Sequence, residues 1–307
     1  MPARAVPLGL TGYLAAAGFE AALEHELGVV EWRHGRLLFA PGPARASAWA
    51  ENIWHDPIAL AVESIGEAAK ALRAIQRNWS CYVPHFHRRA ALIAQKLPKV
   101  SAKPLVFPAP APAAPLGAWT LRDPRTVIAA ARTSSPFPNG AAEFVADKSG
   151  PPNRAYLKLW EAFTVAGRWP RPGERCLDLG ASPGGWTWVL AKLGARVIAV
   201  DKAPLAPRVA AMAGVEMRRI SAFALDPAEI GPVDWLCSDI ACYPERLHRL
   251  LSAWIAAGTC RNIVATVKFQ GETDFAAQAR LAALPGARLV HLHHNKHELT
   301  FLRLAPE

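Results

Sequence analysis

Apolar residues fall at two spacings along this chain, and where each holds predicts a different kind of element. Leu8–Ala17 is a short apolar run and predicts a strand. Phe19, Leu23 and Leu27 sit at helical spacing, so 18–27 predicts a helix that Gly28 ends. Val29–Trp32 and Arg36–Ala40 predict two strands around a His34-Gly35 turn. After the Pro41-Gly42-Pro43 break, 44–53 and 63–76 both predict helices. Residues 119–132 predict a strand and a short helix, and TSSPFPNG at 133–140 predicts a loop. From there the pattern becomes regular. Residues 153–169 predict a helix with Tyr156, Leu157, Leu159, Trp160 and Phe163 on its apolar side. Residues 176–201 predict strand, glycine turn, helix, strand. Further strands are predicted at 215–219, 233–238, 262–268, 287–293 and 299–304, with helices at 245–257 and 275–284. Strands alternating with helices predict an α/β fold with a Rossmann-like, doubly wound, mainly parallel sheet. A smaller α+β region precedes it. The predicted division is 1–132 and 133–307, with a Pro-rich stretch at 104–115 that contains five prolines and reads as a semi-rigid linker or extended edge.

Composition narrows the class. The chain has 307 residues, 51% of them hydrophobic, enough for two domains with real cores. No apolar run is long enough for a membrane span, and the interrupted N-terminus argues against a signal peptide. The five cysteines are odd in number and scattered, which fits a reducing cytoplasm. Cys237 and Cys242 do not form a metal-ligand spacing with any second pair, and His85 and His87 lack companions, so no metal is expected.

The net charge is +10, and its distribution says more than its sum. No acidic residue lies between Glu67 and Asp123, while Lys70, Arg73, Arg77, Arg88, Arg89, Lys96, Lys99, Lys103 and Arg122 do. Trp79, Tyr82, Phe86 and His87 are interleaved with them. Cations meet phosphates and aromatic faces stack on unpaired bases, so this segment points to nucleic acid, with Arg77, Trp79, Arg88, Arg89, Lys96, Lys99 and Lys103 as the candidate contacts. A solvated basic face over an ordinary aromatic core is the alternative.

The stretch CLDLGASPGGWTWVLAKLGARVIAVD, 176–201, carries the cofactor chemistry. In doubly wound sheets ligands bind at the carboxyl ends of strands. Gly180, Gly184 and Gly185 allow close backbone approach there, and Asp201 ends the next strand where ribose hydroxyls can be held. The spacing is not that of a dinucleotide fingerprint, and Pro183 removes a donor a pyrophosphate would want. A cofactor with ribose and adenine but no phosphate fits better, which points to S-adenosylmethionine (SAM). Ser182 belongs to the same turn, and Trp186 is expected to line the pocket, with Trp188 in the core.

This stretch closely resembles the first motif of the FtsJ-type ribose 2′-O-methyltransferases. That family marks its site with Lys, Asp, Lys and Glu, and Lys158, Asp239, Lys268 and Glu298 occur here in that order. Within the family, TSSPFPNG, RAYLKLWEAF, AWIAAGTCRNI and GFEAALEHELG resemble the RlmM-type group, which methylates a cytidine of 23S rRNA. The resemblance implies a SAM-methyltransferase domain, an RNA partner (23S rRNA or its precursor), and a front end with ferredoxin-like and THUMP parts, here reduced. Ser221 stands where relatives usually have Asp at the adenine edge.

A ribose hydroxyl needs alignment with the methyl donor and a proton acceptor. Lys268 is the expected acceptor, oriented by Asp239, which also lies near the methionine end of SAM. Lys158 and Glu298 would position the ribose, and the two lysines are expected to depress each other's pKa. Asp234 begins its strand rather than ending it and is the lesser candidate. His291, His293, His294 and His297 beside Glu298 read as a turn or an RNA-facing cluster rather than a metal site. The competing readings are a SAM enzyme with another RNA or a non-RNA substrate, and a non-catalytic RNA-binding protein.

Overall fold

The computed structural model describes residues 5–306. The chain divides into two compact units. The first comprises the chain up to Leu105 together with Ala111–Glu143; the second comprises Val106–Pro110 and Phe144 onward. The division falls later than the expected Arg132/Thr133 boundary, and the Pro-rich stretch is divided between the two units.

In the first unit the order is β1 (Ala5–Pro7), β2 (Leu10–Ala15), α1 (Glu20–Leu27), β3 (Trp32–His34), β4 (Leu37–Pro41), β5 (Ala50–His55), β6 (Ile58–Ala61), α2 (Ile65–Ile75), β7 (Trp79–Cys81), α3 (His87–Ala94), β8 (Gly117–Asp123), β9 (Thr126–Ala130) and β10 (Arg132–Thr133). They form two five-stranded sheets, β10-β5-β2-β4-β3 and β1-β6-β9-β8-β7. Leu14, Phe39 and Trp54 of the first pack with Ala118 and Ile128 of the second. Helices α2 and α3 close another core with Leu72, Ile93, Trp119 and Val127. Ser64 caps α2 by accepting the Glu67 amide at 3.1 Å.

Two elements differ from the sequence reading. Residues 44–53 are not a helix: 50–55 is strand β5, in which Asn52 and Trp54 are buried while their neighbours are not, a period of two. Residues 117–130 are a hairpin, β8 and β9, with no helix between.

The second unit runs α4 (Tyr156–Ala166), β11 (Arg175–Leu179), α5 (Gly185–Lys192), β12 (Arg196–Val200), α6 (Pro207–Ala210), β13 (Val215–Arg218), α7 (Pro227–Ile230), β14 (Val233–Ser238), α8 (Pro244–Ala257), β15 (Cys260–Lys268), α9 (Phe275–Ala282), β16 (Arg288–Val290) and β17 (Glu298–Arg303). Its seven strands follow the order β13-β12-β11-β14-β15-β17-β16. The first five are parallel, and β17 runs antiparallel to β15 and β16. This is the doubly wound sheet the alternation predicts. Its order reverses between β11 and β14, the place where such sheets hold ligands. Phe107, from the five-residue segment that joins this unit, stacks on Trp160 with ring centres 5.1 Å apart.

Candidate active site

The loops after β11, β12 and β14 meet at the reversal in strand order. After β11 the chain turns through Gly180 (φ 78°) and Gly184 (φ 113°), backbone that a side chain tolerates poorly. Space is also short. A Cβ on Gly180 would lie 2.8 Å from Ile240 Cγ1, and one on Gly184 2.9 Å from Val209 Cγ1. Gly185 opens α5, and a Cβ there would collide with Asn153. Asp201, just past β12, braces this turn: Oδ2 accepts the Ser182 amide at 3.1 Å and Oδ1 the Ala203 amide at 2.9 Å. The Ser182 hydroxyl donates to Pro204 O at 2.8 Å.

Asp178, inside β11, is fully buried, and its Oδ2 accepts the Thr187 hydroxyl at 2.6 Å. Its Oδ1 has no hydrogen-bond partner. Burial, reinforced by Asp239 and Asp201, pushes its carboxyl up to about 7.

The four marker residues come together. Asp239, just beyond β14, receives Lys158 Nζ at 2.9 Å and Lys268 Nζ at 3.0 Å on the same oxygen, Oδ1. Lys268 Nζ also donates to the Asp239 carbonyl at 2.6 Å. Lys158 reaches Glu298 Oε1 at 3.1 Å. Register explains the last partner: Lys268 ends β15 directly across from Glu298 at the start of β17. Lys158 arrives from the first turn of α4.

For Lys158 the electrostatics runs against the expected depression. Burial works to lower the Lys158 amine, but the Asp239 and Glu298 carboxylates outweigh it and hold its pKa above the ordinary lysine value. Burial likewise pushes Asp239 up, but Lys158 and Lys268 pull harder and leave it below the usual carboxylate range. Lys158 is the more enclosed of the pair, its side chain 13% exposed against 25% for Lys268.

The other predicted residues are less central. Trp186 is buried in the core of the unit, its Nε1 donating to Ala155 O at 2.9 Å, and Trp188 joins the same core. Ser221 precedes a short 3-10 turn and accepts the Phe223 amide at 3.4 Å. Asp234 sits at the opposite end of its strand and accepts the Arg175 amide at 2.9 Å. In the first unit Arg77, Arg88, Lys96, Lys99 and Lys103 are exposed, and Arg89 is half-buried. Arg77, Lys99 and Lys103 border a groove of about 530 Å³ whose wall includes Pro112, Pro115 and Phe137. Trp79 corrects its expected role. It is 5% exposed, and its Nε1 donates to Leu72 O and Gln76 O at 3.0 Å, so it is core and not a stacking platform.

Glu161 is a site-adjacent residue that sequence reasoning did not single out. Lying on α4, it accepts the His293 and His294 amides and the His294 ring. The signal for it in the sequence is a carboxylate inside the apolar run YLKLWEAF. Among the described residues no group of three potential ligands is placed to hold a metal ion. None of the described helices is long and apolar enough to cross a membrane.

Residues 151–279 match the family model of the FtsJ-like methyltransferases. The matched stretch lies within the second unit. Glu298 lies beyond it. A protein named ribosomal RNA large subunit methyltransferase M from Aromatoleum aromaticum is 38% identical over 164 residues, 48% of this chain and 44% of that one. Its namesake from Alkalilimnicola ehrlichii is 34% identical over 200 residues, 60% of this chain and 55% of that one. The chain thus spans about half the length of the curated relatives it matches. A fibrillarin pre-rRNA processing protein from Methanococcus jannaschii overlays 50% of this chain and 76% of its own at a TM-score of 0.36 and 19% identity, too loosely to argue from.

Proposed function

We propose that this protein transfers the methyl group of SAM to a ribose 2′-hydroxyl of RNA, on a cytidine of 23S rRNA. The observation that carries the reading is the convergence of Lys158, Asp239, Lys268 and Glu298 beside a glycine turn at the sheet's reversal. Names of relatives that speak of ribosomal RNA, and a front unit with an exposed cationic face, support the choice of substrate.

The residues present fit the cofactor. Asp201 spends one lone pair of each oxygen on a backbone amide and keeps others for ribose hydroxyls. The unpartnered Oδ1 of Asp178 beneath the turn suits a ligand bearing positive charge. Gly180, Ser182, Pro183, Gly184 and Gly185 would wall the site, with Ser221 at the adenine edge. Bound there, SAM supplies an electrophilic methyl group on a sulfonium.

The protein's own part is alignment and proton transfer. Lys158, held charged by two carboxylates, keeps Asp239 and Glu298 in place and is a poor base. Lys268 is the more open lysine and takes the 2′-hydroxyl proton in its amine form. Asp239 aims it through two contacts, one from Oδ1 and one from its carbonyl. Arg77, Arg88, Arg89, Lys96, Lys99 and Lys103 would hold phosphates.

The test is ribose-methylation mapping of rRNA from cells with and without the gene, complemented by wild type or Lys268→Ala. One 2′-O-methyl mark should vanish without the gene and return only with wild type. If every mark persists without the gene, the rRNA reading is overturned; a mark restored by Lys268→Ala overturns the assignment of the base.

A further inference from the structure

Glu161 takes no part in the proton transfer proposed for the four marker residues, yet it is 2% exposed and ionisable. A carboxylate is withdrawn from water only where donors replace the lost hydration. Among the described residues its donors come from one short piece of chain. Oε1 accepts the His293 amide at 2.7 Å, and Oε2 accepts the His294 amide at 2.9 Å and the His294 ring Nδ1 at 2.7 Å.

That piece is the connection from β16 to β17, and it leads directly to Glu298. It is braced internally: the Asn295 amide donates to Leu292 O at 2.9 Å, and Asn295 Nδ2 donates to Glu298 O at 3.2 Å. A displacement at His293 is therefore passed on to Glu298. Lys158 and Glu161 lie three residues apart on α4, on the same side of the helix. One helical turn thus grips the connection twice, through Glu161 at His293 and His294, and through Lys158 at Glu298. A single contact would leave the turn free to swivel; two contacts fix its rotation.

We infer that Glu161 is a positioning residue for methyl transfer: it locks the 292–295 turn to α4 so that Glu298 meets Lys158 in register. This rests on the reading of Lys158, Asp239, Lys268 and Glu298 as the transfer site.

The experiment is a double-mutant cycle of Glu161→Gln and Glu298→Gln, with kcat and KM for RNA and SAM measured for all four proteins. Glutamine keeps the size of Glu161 but turns an NH2 toward amide donors. Acting through Glu298, Glu161→Gln should lower kcat by about 10- to 100-fold in the wild-type background. In the Glu298→Gln background the loss should shrink to less than about 2-fold. The KM for SAM should stay within about 2-fold throughout. An unchanged kcat, or equal losses in both backgrounds, overturns the inference, since a residue that merely holds the fold has additive effects. If Glu161→Gln loses its near-UV circular dichroism, His294→Ala takes its place; it removes the ring contact and keeps both amide contacts, with the same two outcomes at smaller size. If wild type transfers no methyl to RNA, the functional reading fails instead. The same cycle is then read in melting temperature, where Glu298→Gln should cost less in the Glu161→Gln background than in wild type; equal shifts overturn the inference.

Discussion

Asp239→Asn tests the electrostatic design of the site most directly. The substitution keeps shape and one acceptor but removes the charge that two ammonium groups share, at 2.9 and 3.0 Å. At an effective dielectric near 20, each such contact is worth about 5 kcal/mol before desolvation is counted. Desolvation offsets much of that, and breaking a buried pair typically costs about 3–5 kcal/mol net. Glu298 remains beside Lys158 as a partial substitute, which places the expected loss near the lower bound, about 3 kcal/mol. For a unit of this size that is a fall in melting temperature of roughly 6–12 °C. The dependence on pH fixes the cause. Asp239 is held below its ordinary value, so its contribution is present above about 4 and is lost as pH falls through the lower folded value. Lys158 is held above its ordinary value, so its share is full below about 10.4 and is lost as pH rises through the higher folded value. The gap between wild type and Asp239→Asn should be widest near neutrality and close toward both extremes. Thermal melts followed by circular dichroism across pH measure it. A shift under about 1 °C at pH 7, or a gap that widens below pH 4, refutes the reasoning.

Three further outcomes are expected. Asp178 titrates near 7 when folded and near 3.9 when unfolded, so its protonated form stabilises the fold at pH 4 and that stability is lost as pH rises toward 7. Asp178→Asn should therefore raise the melting temperature more at pH 8 than at pH 5, and equal shifts would contradict the buried-acid assignment. Gly184→Ala must place a Cβ at φ 113° and 2.9 Å from Val209, so a stability loss of about 1–2 kcal/mol and weaker SAM binding by calorimetry are expected; unchanged affinity would remove the turn from the cofactor site. Lys99→Glu with Lys103→Glu should weaken RNA binding and flatten its log–log salt dependence by about 0.7–0.9 for each phosphate no longer neutralised, and an unchanged slope would clear this face of a role.

The second unit could be read from its sequence because its signals are local. The glycine turn is contiguous, Lys268 ends a strand and Asp239 directly follows one, and a strand end is visible from period and composition. What could not be read depends on partners distant in sequence. Trp79 between cations looks like a stacking residue until Leu72 O and Gln76 O are seen to hold its ring nitrogen. Residues 44–53, rich in Ala, favour a helix by propensity, but pairing with β2 overrides it and makes 50–55 a strand. The raised Lys158 amine depends on two carboxylates 81 and 140 residues away in the chain, brought to one atom only by the sheet. The His293–His294 pair resembles metal ligands in isolation; with Glu161 beside it, it is a hydrogen-bonded turn.

Phe107 has a consequence for how this chain can be divided. It lies among prolines before the loop 133–140, yet it fills a slot formed by Trp160, Phe163 and Trp169, with ring centres at 5.1, 6.4 and 6.0 Å. A fragment beginning at Phe144 would keep every residue of the glycine turn and all four marker residues but lose the ring that covers those aromatics. Such a fragment would carry a sticky hydrophobic face and should self-associate. A peptide spanning Val106–Pro110, added in trans, should suppress that association, because the fragment would recover its missing wall. The boundary visible in the order of residues is therefore not a seam along which the molecule separates cleanly.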